Sequence, residues 1–304
     1  MSLFSLKSAL NSNTNPNEFV LSDELIRKLH VFLLDMLEDI VKVLEKHHLR
    51  YFVGGGSCLG AIRHKGFIPW DDDLDINMPR EDYDKFASVF ETELGDKYEL
   101  NAPNYSSEVI SRFPKVLAKN TRYAAAAWNT KPQFEKVFID IFTMENVPDN
   151  KISRFFKGCF VNFLEFVAGQ VLLYDSFKHN DSSIVKKKIG KLNYGVRYLI
   201  GLLFSLRGYS KWCNCIDKSI RYENNKSFYV CFPTGRNHYF GEILPRSIFF
   251  PLKSVPFENS SVLVPCQFHN YLKNLYGENY MELPPPEKRE KHFVSIIDLP
   301  QANN

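Results

Sequence analysis

A run of aspartates is the feature of this sequence most suited to chemistry. Four carboxylates fall within five residues, in Asp71-Asp72-Asp73-Leu74-Asp75. The alternation predicts a strand on which Asp71, Asp73 and Asp75 share one face while Leu74 and Ile76 point into the core. Neighbours on that face would lie roughly 6.6 Å apart. At an effective dielectric of about 20, each ionised pair would then repel by about 2.5 kcal/mol. Such a face needs a cation, and carboxylate oxygens favour Mg²⁺ or Mn²⁺.

Three interpretations of the run compete. A solvated acidic turn is the simplest interpretation. The apolar segment Phe67–Trp70 before the run and the aliphatic Leu74 and Ile76 at its end argue against it. A calcium loop of the EF-hand type requires Gly at its sixth position and Glu at its twelfth, where this chain has Ile76 and Asp82, so that interpretation fails. The third is a catalytic metal site for phosphoryl transfer.

Asp140 is the residue that favours the third interpretation. It lies inside the apolar run Phe138-Ile139-Asp140-Ile141-Phe142, where a carboxylate without a partner would be costly to bury. Either a Lys or Arg elsewhere in the chain pairs with it, or a neighbouring strand brings it to the metal of Asp73 and Asp75. In the second case Asp140 could orient or deprotonate an attacking hydroxyl.

A glycine turn upstream supplies the other half of such a site. Gly55-Gly56-Ser57 would let backbone amides approach a phosphate at the start of a helix. Alone it is ordinary turn chemistry. Followed 16 residues later by Asp73-x-Asp75 and then by Asp140, it matches the pattern of polymerase-β-like nucleotidyltransferases.

The elements that must position these residues can be predicted from periodicity. Ser22 begins a helix with one apolar face to about His47. A short strand at Tyr51–Val53 enters the glycine turn, and a further helix could begin at Pro79. The β-branched and aromatic run Lys136–Met144 predicts the strand that carries Asp140. Residues 151–221 are helical in pattern, and residues 225–265 resemble short strands and turns.

A long block of this sequence is similar to a known family. The block from Gly55 to Asp75, GGSCLGAIRHKGFIPWDDDLD, closely resembles the signature of LicD-type phosphocholine transferases, whose superfamily includes fukutin and fukutin-related protein. The likeness frames the chain from about 50 to 292 and is weak over 150–235. It continues at Met78–Tyr83, Phe138–Phe142, Tyr276–Met281, Pro284–Pro285 and Arg289–His292.

This resemblance implies a metal-dependent enzyme that transfers phosphocholine, or a similar phospho-alcohol, from CDP-choline or a related donor. The acceptor would be a hydroxyl of a glycan or lipid-linked glycan, as in lipopolysaccharide or teichoic acid, and CMP would be released. Asp73, Asp75 and Asp140 would bind Mg²⁺ or Mn²⁺, and Gly55, Gly56 and Ser57 would contact donor phosphates. Arg289 and His292 match in position without an assigned role.

Two basic residues are further candidates for neutralising the donor phosphates. Arg63 follows the glycine turn in sequence, and Lys115 lies in Phe113-Pro114-Lys115-Val116. A guanidinium or ammonium group beside a phosphate forms strong charge-assisted hydrogen bonds. The alternative for each is an ordinary basic residue in a solvated turn or strand.

The composition is near neutral overall and uneven along the chain. The 304 residues carry 38 Lys and Arg against 35 Asp and Glu, a net +3, which argues against a broadly basic nucleic-acid binder. Residues 1–150 hold 17 basic and 23 acidic residues, and residues 151–304 hold 21 and 12. The six cysteines include no Cys-x-x-Cys pair. No signal peptide or spanning helix is expected, so a reducing cytoplasm is the expected compartment.

The basic excess lies in residues 151–221, which hold 13 basic and 4 acidic residues. Aromatic residues at helical spacing stand beside these cations. The segment is either an ordinary helical lobe with a solvated basic face, or a surface for peripheral contact with an anionic membrane at its inner, cytoplasmic face.

The sequence therefore predicts a mixed α/β (α+β) fold with a polymerase-β-like nucleotidyltransferase core. We expect a flexible leader at 1–20, the catalytic core at 21–150, a basic helical lobe inserted at 151–235 and a C-terminal cap at 236–304. Three other functions stay open: a nucleotide-sugar glycosyltransferase that uses Asp73-x-Asp75 for metal, a nucleotidyltransferase that leaves NMP on its acceptor, and a non-catalytic glycan-binding pseudoenzyme.

Overall fold

A mixed β-sheet forms the centre of the fold in the computed structural model. The structure describes residues 19–125, 131–179, 191–223, 227–289 and 293–300. Most of the expected leader and His292 lie outside this part of the chain. The strands are β1 (Phe19–Val20), β2 (Phe52–Val53), β3 (Asp75–Pro79), β4 (Tyr98–Asn101), β5 (Lys115–Ala118), β6 (Arg122–Ala125), β7 (Phe138–Asn146), β8 (Tyr229–Cys231), β9 (Leu244–Pro245), β10 (Lys253–Phe257), β11 (Ser260–Val264) and β12 (Phe293–Asp298).

The order of the central sheet is β2-β3-β7-β5-β4, and β8 and β9 continue it from β7. Strands β3 and β7 run parallel, and the other pairs in this sheet are antiparallel. A three-stranded sheet, β1-β12-β6, and a β10-β11 hairpin complete the described strands. The chain is thus of the mixed α/β class, as its sequence predicts.

Helices surround this sheet and also form a separate lobe. The first of them begins and ends close to its predicted limits. Ser22 caps its N-terminus, where the Ser22 hydroxyl accepts the N–H of Leu25 at 3.3 Å. The helices are α1 (Asp23–Lys46), α2 (Gly55–Arg63), α3 (Arg80–Leu94), α4 (Lys151–His179), α5 (Lys191–Ser205), α6 (Tyr209–Ile220), α7 (His238–Gly241) and α8 (Phe268–Tyr276), with single 3₁₀ turns at Pro132–Phe134, Arg246–Ile248 and Pro286–Lys288.

The strand predicted through the aspartate run is shorter than expected. Strand β3 begins only at Asp75. A turn in which the N–H of Asp71 donates to the carbonyl of Ile68 at 2.9 Å precedes it, and Asp71 to Leu74 form no regular secondary structure. The prediction that Asp71, Asp73 and Asp75 share one strand face is therefore wrong. Leu74 and Ile76 are fully buried, as expected.

Two apolar clusters hold the molecule together. The larger packs one face of α1 against the central sheet and α3, with Leu33, Met36 and Ile40 fully buried. The smaller lies among α4, α6 and α7 and includes Val161, Leu164, Val167, Trp212, Ile216 and Tyr239. The helical prediction for 151–221 is confirmed over its described residues.

Helix α4 departs from one expectation of the sequence. Residues 151–175 are long and apolar enough, by length and composition alone, to cross a membrane, whereas no spanning helix was expected. Half of that span is buried inside the protein. Long core helices of water-soluble proteins pass the same test. Length and composition therefore do not by themselves make α4 a membrane span.

Candidate functional site

Three charged residues meet on adjacent strands at one edge of the candidate site. Asp140 on β7 pairs in register with Asp75 on parallel β3, and with Lys115 on antiparallel β5. Directly paired residues project from the same face of a sheet, about 4.8 Å from strand to strand. The sheet thus places two predicted metal ligands and one predicted phosphate contact side by side.

Asp140 has the cationic partner that its burial requires. The Nζ of Lys115 forms an ion pair with the Oδ1 of Asp140, and both side chains are largely buried. The same Nζ lies 3.6 Å from the ring centroid of Phe138, a cation–π contact. Burial of Asp140 is therefore explained by this pair and does not by itself call for a metal. Its place beside Asp75 is the stronger argument for a shared site.

Three more carboxylates lie together in the irregular segment just before β3. One ligand atom each from Asp71, Asp72 and Asp73 lies within 4.8 Å of the others. Asp72 is buried and accepts a hydrogen bond from the Tyr123 hydroxyl, and His30 Nε2 lies 2.7 Å from the carbonyl oxygen of Asp71. This triplet could hold a divalent cation, since its donors are hard oxygens. Of this triplet, only Asp73 belongs to the ligand set predicted from the sequence, which also contains Asp75 and Asp140.

The glycine turn closes directly over these carboxylates. Gly55 has a φ of +42°, and a Cβ there would lie 2.7 Å from Oδ2 of Asp75. A Cβ on Gly56 would lie 2.9 Å from Oδ2 of Asp71. Both are closer than a side chain tolerates, so the two glycines let the N-terminus of α2 approach the acidic groups. A cation between these carboxylates and a phosphate at the helix terminus fits that arrangement.

Ser57 and Arg63, both predicted to contact donor phosphates, already have partners within the protein. The buried Ser57 Oγ accepts the N–H of Asp75 at 2.8 Å, and so fixes the first residue of β3. Arg63 Nη1 donates to the carbonyls of Tyr280 and Glu282 at 3.1 and 3.2 Å. Burial lowers the pKa of Arg63. Donor contacts by these two residues stay predictions.

Comparison with known proteins agrees with this geometry. Residues 48–162 match the family described as LicD/FKTN/FKRP, nucleotidyltransferase domain. The match spans β2, α2, β3 and β7, which carry the glycine turn and the strand aspartates. This segment is a LicD/FKTN/FKRP nucleotidyltransferase domain.

Individual relatives extend the similarity beyond that domain. The lipopolysaccharide cholinephosphotransferase LicD of Haemophilus influenzae is 24% identical over 292 residues, which is 88% of this chain and 96% of that protein. The ribitol 5-phosphate transferase FKRP of human and of mouse is 43% identical over 56 residues, 18% of this chain and 11% of those proteins. The similarity is therefore full-length with the bacterial protein and local with the mammalian ones.

The candidate site is completed by a helix more than 190 residues further along the chain. The hydroxyl of Tyr271 on α8 accepts the N–H of Gly55 and the Nδ2–H of Asn77, both at 3.1 Å. Tyr276 is half-buried near the aspartates, and its hydroxyl lies 3.8 Å from the position a Cβ on Gly55 would take. Burial raises the pKa of both tyrosines, with Asp75, Asp71 and Asp73 adding to the rise at Tyr276.

Sequence reasoning missed these two tyrosines as site residues. The only signal for Tyr276 was its place at the start of a block shared with the LicD family. Arg236 stacks on its ring at 5.1 Å, which brings a further cation to the site. Arg289, which matched the family without an assigned role, lies 4.2 Å over the ring of Trp70, the residue before the aspartate run. The C-terminal part of the chain therefore contributes directly to the site.

Behind the site lies a buried carboxyl with a perturbed pKa. Burial raises the pKa of Glu242 to about 8, although its Oε1 accepts the N–H of Asn237 at 2.7 Å. A free chain would lose this proton near pH 4.5. Between these two values the folded protein keeps a proton that the unfolded chain has released, so the free energy of unfolding falls as pH rises through this window.

We therefore expect Glu242→Gln to stabilise the protein progressively from about pH 5 to pH 8. The neutral amide can keep the bond from Asn237 and has no proton to lose. The difference in unfolding free energy should grow by about 1.4 kcal/mol per pH unit, to a few kcal/mol in total. Urea unfolding at pH 5 and pH 8.5 measures it. The exposed Glu287→Gln serves as control, and an equal effect of both variants at both pH values would contradict the assignment.

Proposed function

We propose that this protein transfers phosphocholine, or a similar phospho-alcohol, from a CDP-activated donor to a hydroxyl of a cell-surface glycan, with release of CMP. The observation that carries the proposal is the alignment of Asp75, Asp140 and Lys115 on three neighbouring strands beneath the glycine turn. Its full-length similarity to a lipopolysaccharide cholinephosphotransferase supports this choice of reaction. The local similarity to a ribitol 5-phosphate transferase supports a phospho-alcohol as the group transferred.

The proposal includes a polymerase-β-like core at 21–150, with the helical lobe at 151–235 and the cap at 236–304 contributing to one fold. The cap supplies Tyr271, Tyr276 and Arg236 to the same site, which supports one catalytic unit. The enzyme would work in the cytoplasm, at the inner face of the membrane, where the acceptor glycan is assembled.

In the proposed reaction, the acceptor oxygen bonds to the phosphorus that carries the alcohol. The bond from that phosphorus to the oxygen shared with CMP breaks, and CMP leaves with the electron pair. The acceptor proton passes to a carboxylate, for which Asp140 is the candidate because its ion pair with Lys115 orients it at the site. Mg²⁺ or Mn²⁺ bound by Asp73, Asp75 and Asp140 would neutralise the donor phosphates.

The chain's own groups would orient the donor. The first-turn N–H groups of α2 have no acceptors within their helix and would face the phosphates, while the N–H of Gly55 is held by Tyr271. Lys115 and Arg236 would add positive charge at two sides of the site. The two glycines let the helix terminus lie directly against the carboxylates, so that phosphates bound at the terminus and a cation bound by the carboxylates would be neighbours.

A panel of activated donors tests the proposal. Purified protein with Mg²⁺ is incubated with CDP-choline, CDP-ribitol, CDP-glycerol and UDP-sugars, with and without a glycan acceptor, and the released nucleotide is identified. We expect acceptor-dependent CMP from one CDP-alcohol, together with thermal stabilisation by the same donor. Release of UDP would support a glycosyltransferase instead, and pyrophosphate from a nucleoside triphosphate would support NMP transfer. Nucleotide binding without turnover would support a glycan-binding pseudoenzyme.

A further inference from the structure

Helix α4 exposes an unbroken aromatic face along its first four turns. The exposed positions recur at steps of three and four, so they lie on one side of the helix. Apart from Lys151 at the start of the helix, they carry no charged residue, and Phe156 is 66% exposed. We call this surface the phenylalanine face; it comprises Ile152, Phe155, Phe156, Cys159, Phe160, Phe163 and Phe166.

The opposite side of the same helix is also apolar, and it is buried. Val161, Leu164 and Val167 belong to the core of the lobe. A helix that is apolar on both sides is normally covered on both. The five phenylalanines together leave on the order of 500 Å² in contact with water, at the upper end of the apolar patches that monomeric proteins expose.

Helix α5 covers only the later half of α4. A Cβ on Gly201 of α5 would lie 2.4 Å from the carbonyl oxygen of Gln170, and Tyr198 contacts the ring of Tyr174 at 5.0 Å. Because 170 and 174 continue the helical face of 152–166, α5 covers the end of that face and leaves its beginning open. The outer side of α5 is itself exposed and apolar at Val196, Leu199, Leu202 and Leu203, and Leu206, just after the helix, is also exposed.

The segment of the sequence that contains these two helices carries a strongly positive net charge. Residues 151–221 hold 13 Lys and Arg and 4 Asp and Glu. Two of the acidic residues do not face solvent, because buried Glu165 pairs with Arg112 at 3.3 Å and buried Asp217 pairs with Arg80 at 2.9 Å. Exposed aromatic residues within a segment of positive net charge match the interface of an anionic bilayer.

We propose that the phenylalanine face, together with the outer side of α5, docks this protein on the surface of anionic membranes. The helix would lie in the interface with its phenylalanines among the acyl chains and the lobe's core above them. It would not cross the bilayer, because its other side holds that core together with the buried Glu165. The proposal does not depend on the proposed chemistry.

The docking surface lies close to the nucleotidyltransferase site. Phe240 contacts Phe155 with ring centroids 6.0 Å apart, and Arg236, four residues earlier, stacks on Tyr276 beside the aspartates. Four residues span at most roughly 14 Å of chain. A membrane seated on the phenylalanine face would therefore hold a lipid-linked acceptor near the reacting groups.

Vesicle sedimentation of the full chain tests the docking surface. We expect binding to vesicles of phosphatidylcholine with 30% phosphatidylglycerol, and at least tenfold weaker binding to phosphatidylcholine alone or in 0.5 M NaCl. Phe156→Gln/Phe160→Gln should bind the anionic vesicles at least tenfold more weakly than the wild type. Both side chains are exposed, so the variant should unfold at the wild-type temperature.

A matched control replaces two equally exposed apolar residues away from α4 and α5. Val31→Gln/Leu283→Gln removes residues that are 62% and 58% exposed and should bind vesicles as the wild type does. Equal binding by both double variants, or no preference for anionic vesicles, would overturn the proposal. A dimer in solution that dissociates in Phe156→Gln/Phe160→Gln, without vesicle binding by the wild type, would assign the face to a second copy instead. Vesicle binding is measured without a donor, so it can fail or succeed independently of CMP release.

Discussion

Asp73→Asn and Asp75→Asn should each lower CMP release from the CDP-alcohol donor by at least about 10³-fold, the order lost when a group that stabilises transition-state charge is removed. Each change keeps the size of the side chain and removes one negative charge from a site that gathers four carboxylates between Asp71 and Asp75. Asp75 pairs in register with Asp140, and its backbone N–H, which bonds to Ser57, is unchanged by the substitution. The loss should therefore be in turnover and in the affinity for Mg²⁺ rather than in the fold.

Initial rates at saturating donor and a titration with Mn²⁺ measure these two effects. Asp96 is an exposed aspartate two residues after the end of α3. The control variant Asp96→Asn should behave as the wild type. Circular dichroism and thermal unfolding establish that each variant is folded. Activity within tenfold of the wild type in both Asp73→Asn and Asp75→Asn would exclude the two carboxylates as metal ligands.

Asp72→Asn separates the two possible groupings of carboxylates. Asp72 belongs to the tight triplet but its Oδ2 accepts from the Tyr123 hydroxyl. An amide oxygen can still accept this bond. If the metal is bound by the carboxylates of β3 and β7, CMP release should fall less in this variant than in Asp75→Asn. If it is bound by the Asp71–Asp73 triplet, CMP release should fall by a similar factor in both variants.

Local pattern was sufficient to place most elements of the core. The β-branched run around Asp140, the apolar face of α1 and the glycine turn each carry their signal within a few neighbouring residues, and the corresponding elements form close to the expected limits. The exception is the start of β3. Alternating Asp and Leu residues have the period of a strand, but pairing with β7 begins only at Asp75, so the residues before it have no neighbouring strand to hold them extended.

Contacts between distant parts of the chain could not be predicted in the same way. The partner of Asp140 was left open as either a metal or a basic residue, and Lys115 was considered only as a phosphate contact. The register of β5 against β7 brings the two together, and no sequence period encodes that register. Tyr271 reaches Gly55 across 216 positions, so only a spatial description could connect them.

The sequence likewise predicted helices in the basic lobe without showing which sides are covered. Both sides of α4 are apolar in its first half, so periodicity does not indicate which side is buried and which is exposed. The choice follows from the length and position of α5, which ends beside the middle of α4. An exposed face of phenylalanines is therefore a property of the packing rather than of the helix alone.

Arg80→Met should destabilise the protein by about 3–5 kcal/mol, the range for removing one partner from a buried ion pair. Arg80 opens α3 and joins the sheet to the lobe: its Nε donates to Glu145 of β7 at 2.7 Å, and its Nη2 lies 2.9 Å from Asp217 of α6. Although burial lowers the pKa of Arg80, the two carboxylates raise it further, so the guanidinium stays charged. Methionine would fill similar space and leave Glu145 buried without its cation.

Urea unfolding at pH 7 measures the loss, with Arg50→Met as the matched control. Arg50 also pairs with two carboxylates, Glu81 and Asp82, but it is 44% exposed, and exposed pairs contribute about 1 kcal/mol or less. Adding Glu145→Gln to Arg80→Met should restore part of the stability, because it removes the unpaired charge. An equal loss in Arg80→Met and Arg50→Met, with no recovery in the double variant, would show that this buried network does not hold the lobe to the sheet.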